Sequence, residues 1–267
     1  MSSINSCELP QSNGDDSDSR DASAEEPKKL RHRDVVIRIR NPIEILRDQL
    51  IDSVTGKPKN KTEGDNRVIY SSTLVDAAGN MELVRETAEA CNLILENTYW
   101  QIRLLSKSNL FPKLVELIPE KYHSRLILGM STGTLNDKLA AAFERGCPYV
   151  SMRLKALHWL QDRGFRTFGM ICPFLPQDDY DKFAKEMAEA IRVEKCEHVW
   201  AEVFNGRGNN LVETVEVLRQ SGFGREADLL SNVIGADNVE NWEDYWRSGY
   251  YALLKVIPAE KLRFLQY

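Results

Sequence analysis

A chain of 267 residues with 42% hydrophobic content is long enough for one globular domain with a substantial core, and a second complete domain is not expected. A net charge of −5 gives no global attraction to nucleic acid or anionic membrane. No run of about 18 apolar residues occurs, and the N-terminus, with Asp15, Asp16 and Asp18, lacks the basic start and apolar core of a signal peptide, so a cytoplasmic protein with no membrane partner is expected.

Residues 1–33 pass from acidic, Ser-rich sequence to a basic KKLRHR and read as a disordered tail; the domain is expected to span 34–267. Residues 34–40 read as a strand, and Pro42 starts a helix running to about Asp52. A polar loop follows. Further apolar runs begin at Arg67, Trp100, Arg125, Arg166 and Glu197, each closing in polar residues or prolines, as buried parallel strands do. The stretches between them have helical period. Asn80 is a candidate N-cap for a helix to about Asn97, and a second helix is expected over 109–118. Thr134 opens a capping box, and a longer helix over 148–163 stops at Gly164. Another is expected over 178–194. The run at Glu197 reads as the final strand. The remainder reads as helical, with Asn210 as a cap and Trp242, Tyr245, Trp246, Tyr250 and Tyr251 as packing aromatics. Strand–helix alternation with right-handed crossovers makes this an α/β chain whose six strands form an open or partly closed parallel barrel.

Chemistry in such folds gathers at the carboxyl ends of strands. Lys107, ending one run, either presents an ammonium to a ligand carboxylate or snorkels to solvent. Ser131 and Thr132, close to Gly129 and Gly133, offer hydroxyls and close backbone approach, or form a helix-entry turn. Arg153 reaches the barrel mouth or pairs with Glu144. Asn205 and Arg207, in NGRG, contact a nucleotide or belong to a turn. The five cysteines and four histidines are scattered, so no metal is assigned to this chain. Cys172 ends a strand and is the one cysteine singled out; the others read as buried or incidental thiols. No P-loop or GxGxxG follows any strand, which counts against an unrelated nucleotide-binding fold. Arg38, Arg40, Lys57, Lys59 and Lys61 form a basic strip that suits either nucleic acid or plain solvation.

From Val35 to about Gly208 the chain resembles the radical S-adenosylmethionine proteins of the spore photoproduct lyase type. Ser131, Thr134, Leu135, Glu144, Pro148, Arg153, Leu154, Ala156, Leu157 and Gly164 fall in register with that family's motif. Ser106-Lys107-Ser108 resembles its T-K-S strand end, residues 173–178 its proline turn, and 205–208 the end of its last strand. The resemblance implies a partial (βα)6-type barrel with a helical C-terminus, and an S-adenosyl-L-methionine pocket in which Lys107 pairs with the methionyl carboxylate. Two departures qualify it. The C-x-x-x-C-x-x-C loop that leaves one iron of a [4Fe–4S] cluster open is not in the sequence, so the first, cluster-bearing strand is expected to be missing and no iron–sulfur cluster is expected on this chain alone. The family's T-D-P-Y-Q-P reads here as Thr73 followed by LVDAAG. Two functions follow: a cluster-less binding or regulatory protein with a residual pocket, or one part of a split or truncated lyase whose cluster sits on a cysteine-rich partner.

Overall fold

The computed structural model describes residues 41–70, 75–206, 209–233 and 239–266. The tail and strand expected before residue 41, Thr73 and Arg207 lie outside them. In chain order the elements are α1 (Pro42–Leu50), β1 (Val68–Tyr70), α2 (Met81–Asn97), β2 (Gln101–Ser106), α3 (Phe111–Glu116), β3 (Leu126–Ser131), α4 (Asp137–Phe143), α5 (Val150–Asp162), β4 (Arg166–Phe174), α6 (Tyr180–Ala190), β5 (Cys196–Val203), α7 (Asn210–Gln220), α8 (Gly224–Val233), α9 (Val239–Leu254) and β6 (Leu262–Leu265). The strands pair in the order of the chain, every pair parallel. Among the described residues β1 and β6 are the two edges. The sheet is therefore a half-barrel, α/β, with a largely helical C-terminus.

Period-two alternation decides what each face does. On the outer face Ile102, Leu104, Leu126, Leu128, Met130, Ile171, Val199, Ala201 and Val203 are buried in one core with Val84, Ala88, Leu95, Leu157, Leu160, Ala184 and Met187 from the helices. The inner face carries the site. Local signals hold much of this in place. Asn80 accepts from the Leu83 amide and caps α2, and Gly164 takes φ +76°, a conformation open to glycine, just after α5. At α4 the cap is Asn136, which accepts from the Lys138 and Leu139 amides, rather than Thr134, whose hydroxyl accepts from the Asn136 amide. Asn210 is the first residue of α7, not its cap.

The expected last strand, β5, is not the last. Leu262–Leu265 pairs with it along Val199–Glu202. Four residues are too few for a period-two signal, and the strand is recruited by packing: Leu262 is buried, and Phe264 meets Phe174 and Tyr250. Of the α9 aromatics Trp242, Tyr245, Trp246 and Tyr250 pack against the core as expected, whereas Tyr251 is exposed on the outside of the helix beside Tyr250, and Tyr245 does more. The Tyr245 hydroxyl accepts from the Phe204 amide at 2.9 Å and donates to the Phe174 carbonyl at 2.5 Å, tying the carboxyl ends of β4 and β5 together. Tyr245→Phe strands both backbone groups in a buried place and is expected to cost about 1–3 kcal/mol; an unchanged urea midpoint would show that water takes over both bonds.

Candidate functional site

The carboxyl ends of the strands enclose two adjoining crevices. The first, of about 750 Å³, lies over the inner face and is lined by Tyr70, Val75, Asp76, Arg103, Leu105, Ser106, Lys107, Ser131, Met170, Cys172, Trp200, Glu202 and Leu265. The register explains this lining. Leu105 lies beside Gly129 and that beside Phe168, Ser131 beside Met170, Met170 beside Trp200, and Glu202 beside Leu265, so side chains of matching parity stack in tiers along the open face. Gly129 supplies a gap that Phe168 fills; a Cβ there would lie 2.1 Å from its ring. The second crevice, of about 470 Å³, shares Lys107, Cys172 and Glu202 with the first and extends past Glu144, Cys147 and Asn205 to the start of α7.

A charge triad stands between them. Lys107 Nζ lies 2.6 Å from Glu144 Oε1, and Arg153 Nη2 lies 2.7 Å from Glu144 Oε2. The second contact is ionic rather than a directed hydrogen bond. Arg153, 1% exposed, also donates to the Ser131 and Pro148 carbonyls. Two cations share one carboxylate, so the triad carries an excess positive charge, and Lys107 is its most exposed member, with 30% of its side chain in solvent. Asp76 sets where Lys107 starts. Its carboxylate accepts from the Ser106 hydroxyl at 2.6 Å, the Lys107 amide at 2.7 Å and the Ala78 amide at 2.8 Å, fixing the end of β2.

Across the crevice the Cys172 thiol donates to Glu202 Oε2 at 3.1 Å. Burial, with the Glu202 charge adding to it, pushes this thiol well above the ordinary cysteine range. It is a proton-holding donor, not a thiolate. Deeper in, His198 stacks on Phe168 at 5.1 Å, and burial together with Arg103 lowers its pKa to about 4, so its imidazole is neutral at pH 7.

Of the residues singled out in the sequence, Lys107 and Ser131 line the first crevice, and Lys107 and Asn205 the second. Ser131 donates its hydroxyl to the Cys172 carbonyl. Thr132 and Arg153 lie behind the wall: the Thr132 hydroxyl is spent on the Thr134 carbonyl, and Arg153 takes the alternative in which it pairs with Glu144. Lys59 and Lys61, from the basic strip, bond the Asp48 and Glu96 carbonyls. Sequence reasoning missed Asp76, Arg103, Trp200 and Glu202. A signal was there for three of them: stepping back in twos from Lys107 reaches Leu105 and Arg103, and Trp200 and Glu202 share the parity of His198.

The fold is a partial parallel α/β barrel. Among solved structures the chain is similar to spore photoproduct lyase: a tyrosine-to-phenylalanine mutant at 11% identity and a cysteine-to-serine mutant at 12%, each with a TM-score of 0.50, 77% of this chain and 62% of that chain covered. The chain thus spans less than two thirds of those enzymes' length, and a likeness at this identity speaks for the fold. No family model matches the sequence. No curated protein matches it either.

A [4Fe–4S] cluster of this kind takes three thiolates. Among the described residues no group of three His, Cys, Asp or Glu is placed to hold a metal ion. The described donors do not fit a cluster. They do fit the polar ends of an amino acid: a carboxylate beside Lys107 and a cationic group near Glu202, with Tyr70, Leu105, Met170 and Trp200 as an apolar wall for a flat ring. Among the described residues no helix is long and apolar enough to cross a membrane.

Proposed function

We propose that this protein binds an S-adenosylmethionine-like ligand at the carboxyl ends of its half-barrel and does not itself cleave it reductively, acting as a binding or regulatory protein. The excess positive charge of the Lys107–Glu144–Arg153 triad, exposed at Lys107, carries the reading. Ser131 and Asn205 border the crevices as additional polar contacts, while Thr132 and Arg153 act from behind by shaping the turn and holding Glu144. Calorimetry with S-adenosylmethionine is expected to show binding that Lys107→Ala weakens about tenfold, the scale of one charge-assisted contact. Equal affinity in the two proteins would remove Lys107 from the ligand. Anaerobic reconstitution with iron and sulfide is expected to leave the protein colourless, and a stoichiometric cluster would refute the non-catalytic half of the proposal.

A second reading is favoured by the half-open inner face of the described sheet. In it, a cysteine-rich partner supplies the cluster and the chain works as one part of a split lyase. Co-purification of a partner that takes up iron and sulfide would support this reading over the first.

A further inference from the structure

Arg103 sits in the inner face at the floor of the first crevice, one tier below Leu105. Every other described arginine that is buried or half-buried has its donors taken. Arg125 donates to the Leu95, Thr98 and Trp100 carbonyls, Arg153 holds Glu144, Arg166 holds Glu197 and Gln101, and Arg192 holds Asp162. Arg103 has no hydrogen bond and no ion pair among the described residues, and its Nε is shut off from water without an acceptor. Its guanidinium carbon lies 5.7 Å from the centre of the Phe168 ring. A ring offers a face to a cation but no lone pair to five N–H donors. The carboxylate most able to help, Glu197, is engaged through both oxygens by Arg166. Burial outweighs the distant Glu197 charge and disfavours the charged form of Arg103, so the fold bears a cost that no hydrogen bond or ion pair among the described residues offsets. Such a group is a stored demand for an anion. Leu105, Met170, Trp200 and Leu265 supply apolar wall to the same crevice, whose remaining lining includes the polar Asp76, Lys107 and Glu202.

We propose that Arg103 is the seat of an oxyanion, phosphate or carboxylate, carried by a ligand whose flat apolar body fills the crevice above it. A planar guanidinium with paired donors suits either anion bidentately. This goes beyond the amino-acid end assigned to Lys107: it is a separate site, one that sets the charge of what enters the floor of the crevice, and it holds whether or not S-adenosylmethionine is the ligand at the rim.

The test uses the full chain and three small probes, phenyl phosphate, benzoate and benzyl alcohol, titrated by calorimetry into the wild type, Arg103→Met and Lys107→Ala. The expected result is a preference of about tenfold or more for one of the two anions over the alcohol. Which anion wins identifies the oxyanion. Arg103→Met is expected to abolish the preference and Lys107→Ala to keep it, so failure of the rim assignment is distinguishable from failure of this one. Without ligand, Arg103→Met is expected to melt no lower than the wild type, because it removes a charge that lacks a partner. Three outcomes would overturn the proposal: no preference for either anion, a preference lost in Lys107→Ala but kept in Arg103→Met, or ligand-free melting of Arg103→Met lowered by more than about 5 °C, which would make Arg103 a packing residue against Phe168.

Discussion

Glu144→Ala is expected to be among the most damaging single substitutions in this protein, at about 3–5 kcal/mol and a melting temperature lower by roughly 10 °C. The reason is what remains behind. Arg153 is 1% exposed and has Glu144 as its counter-ion. Two carbonyls would still receive its other donors, but neither cancels a charge. Exchanging the pair together, Glu144→Met with Arg153→Met, removes both charges and fills similar volume, and much of the loss should return. That recovery would separate charge burial from lost packing. Lys107, one third exposed, is screened by water and contributes far less to folding. A Glu144→Ala protein that melts with the wild type would mean that Arg153 reaches solvent in solution and that the triad is no electrostatic unit.

Gly133→Ala is the second large effect. A Cβ at that position would lie 1.7 Å from the Pro173 carbonyl oxygen and 2.5 Å from its carbonyl carbon, and neither backbone atom can swing aside as a side chain could. Just before Gly133 the end of β3 is held against β4 by the Thr132 amide bonded to the Met170 carbonyl and by the Ser131 hydroxyl bonded to the Cys172 carbonyl. Relieving the clash must separate the two strand ends at the crevice. A cost of about 3 kcal/mol or more is expected, at the upper end of overpacking penalties, together with weakened ligand binding. Denaturant unfolding reads the first and calorimetry the second. A tolerated alanine would show that this turn moves independently of β4.

The parallel order of the sheet was legible because apolar strand runs and helical stretches alternate along the chain, and because Asn80 and Gly164 mark element ends with unambiguous chemistry. Leu262–Leu265 was illegible for the opposite reason. Four residues carry no period, and their strand state comes from pairing with β5 and from the Phe264 contacts. In the site, Lys107, Ser131 and Asn205 could be found at strand ends, where this architecture places its chemistry. Thr132 carried the same signal and Arg153, on α5, was singled out by its motif position; both lie behind the wall, because neither signal tells which side chain faces the cavity. Asp76 acts through hydrogen bonds to residues 30 and 31 positions away, a separation that no local pattern records.

The bond from Tyr245 to the Phe174 carbonyl spans 71 positions, and Leu265, on β6, contributes to the wall of the first crevice. During synthesis, then, the central strands can pair long before the cavity exists. A nascent chain halted short of α9 would present a sheet with its mouth unbraced and one wall lacking. A paired central sheet is therefore no guarantee of a formed crevice, since the brace and that part of the wall come from residues far along the chain.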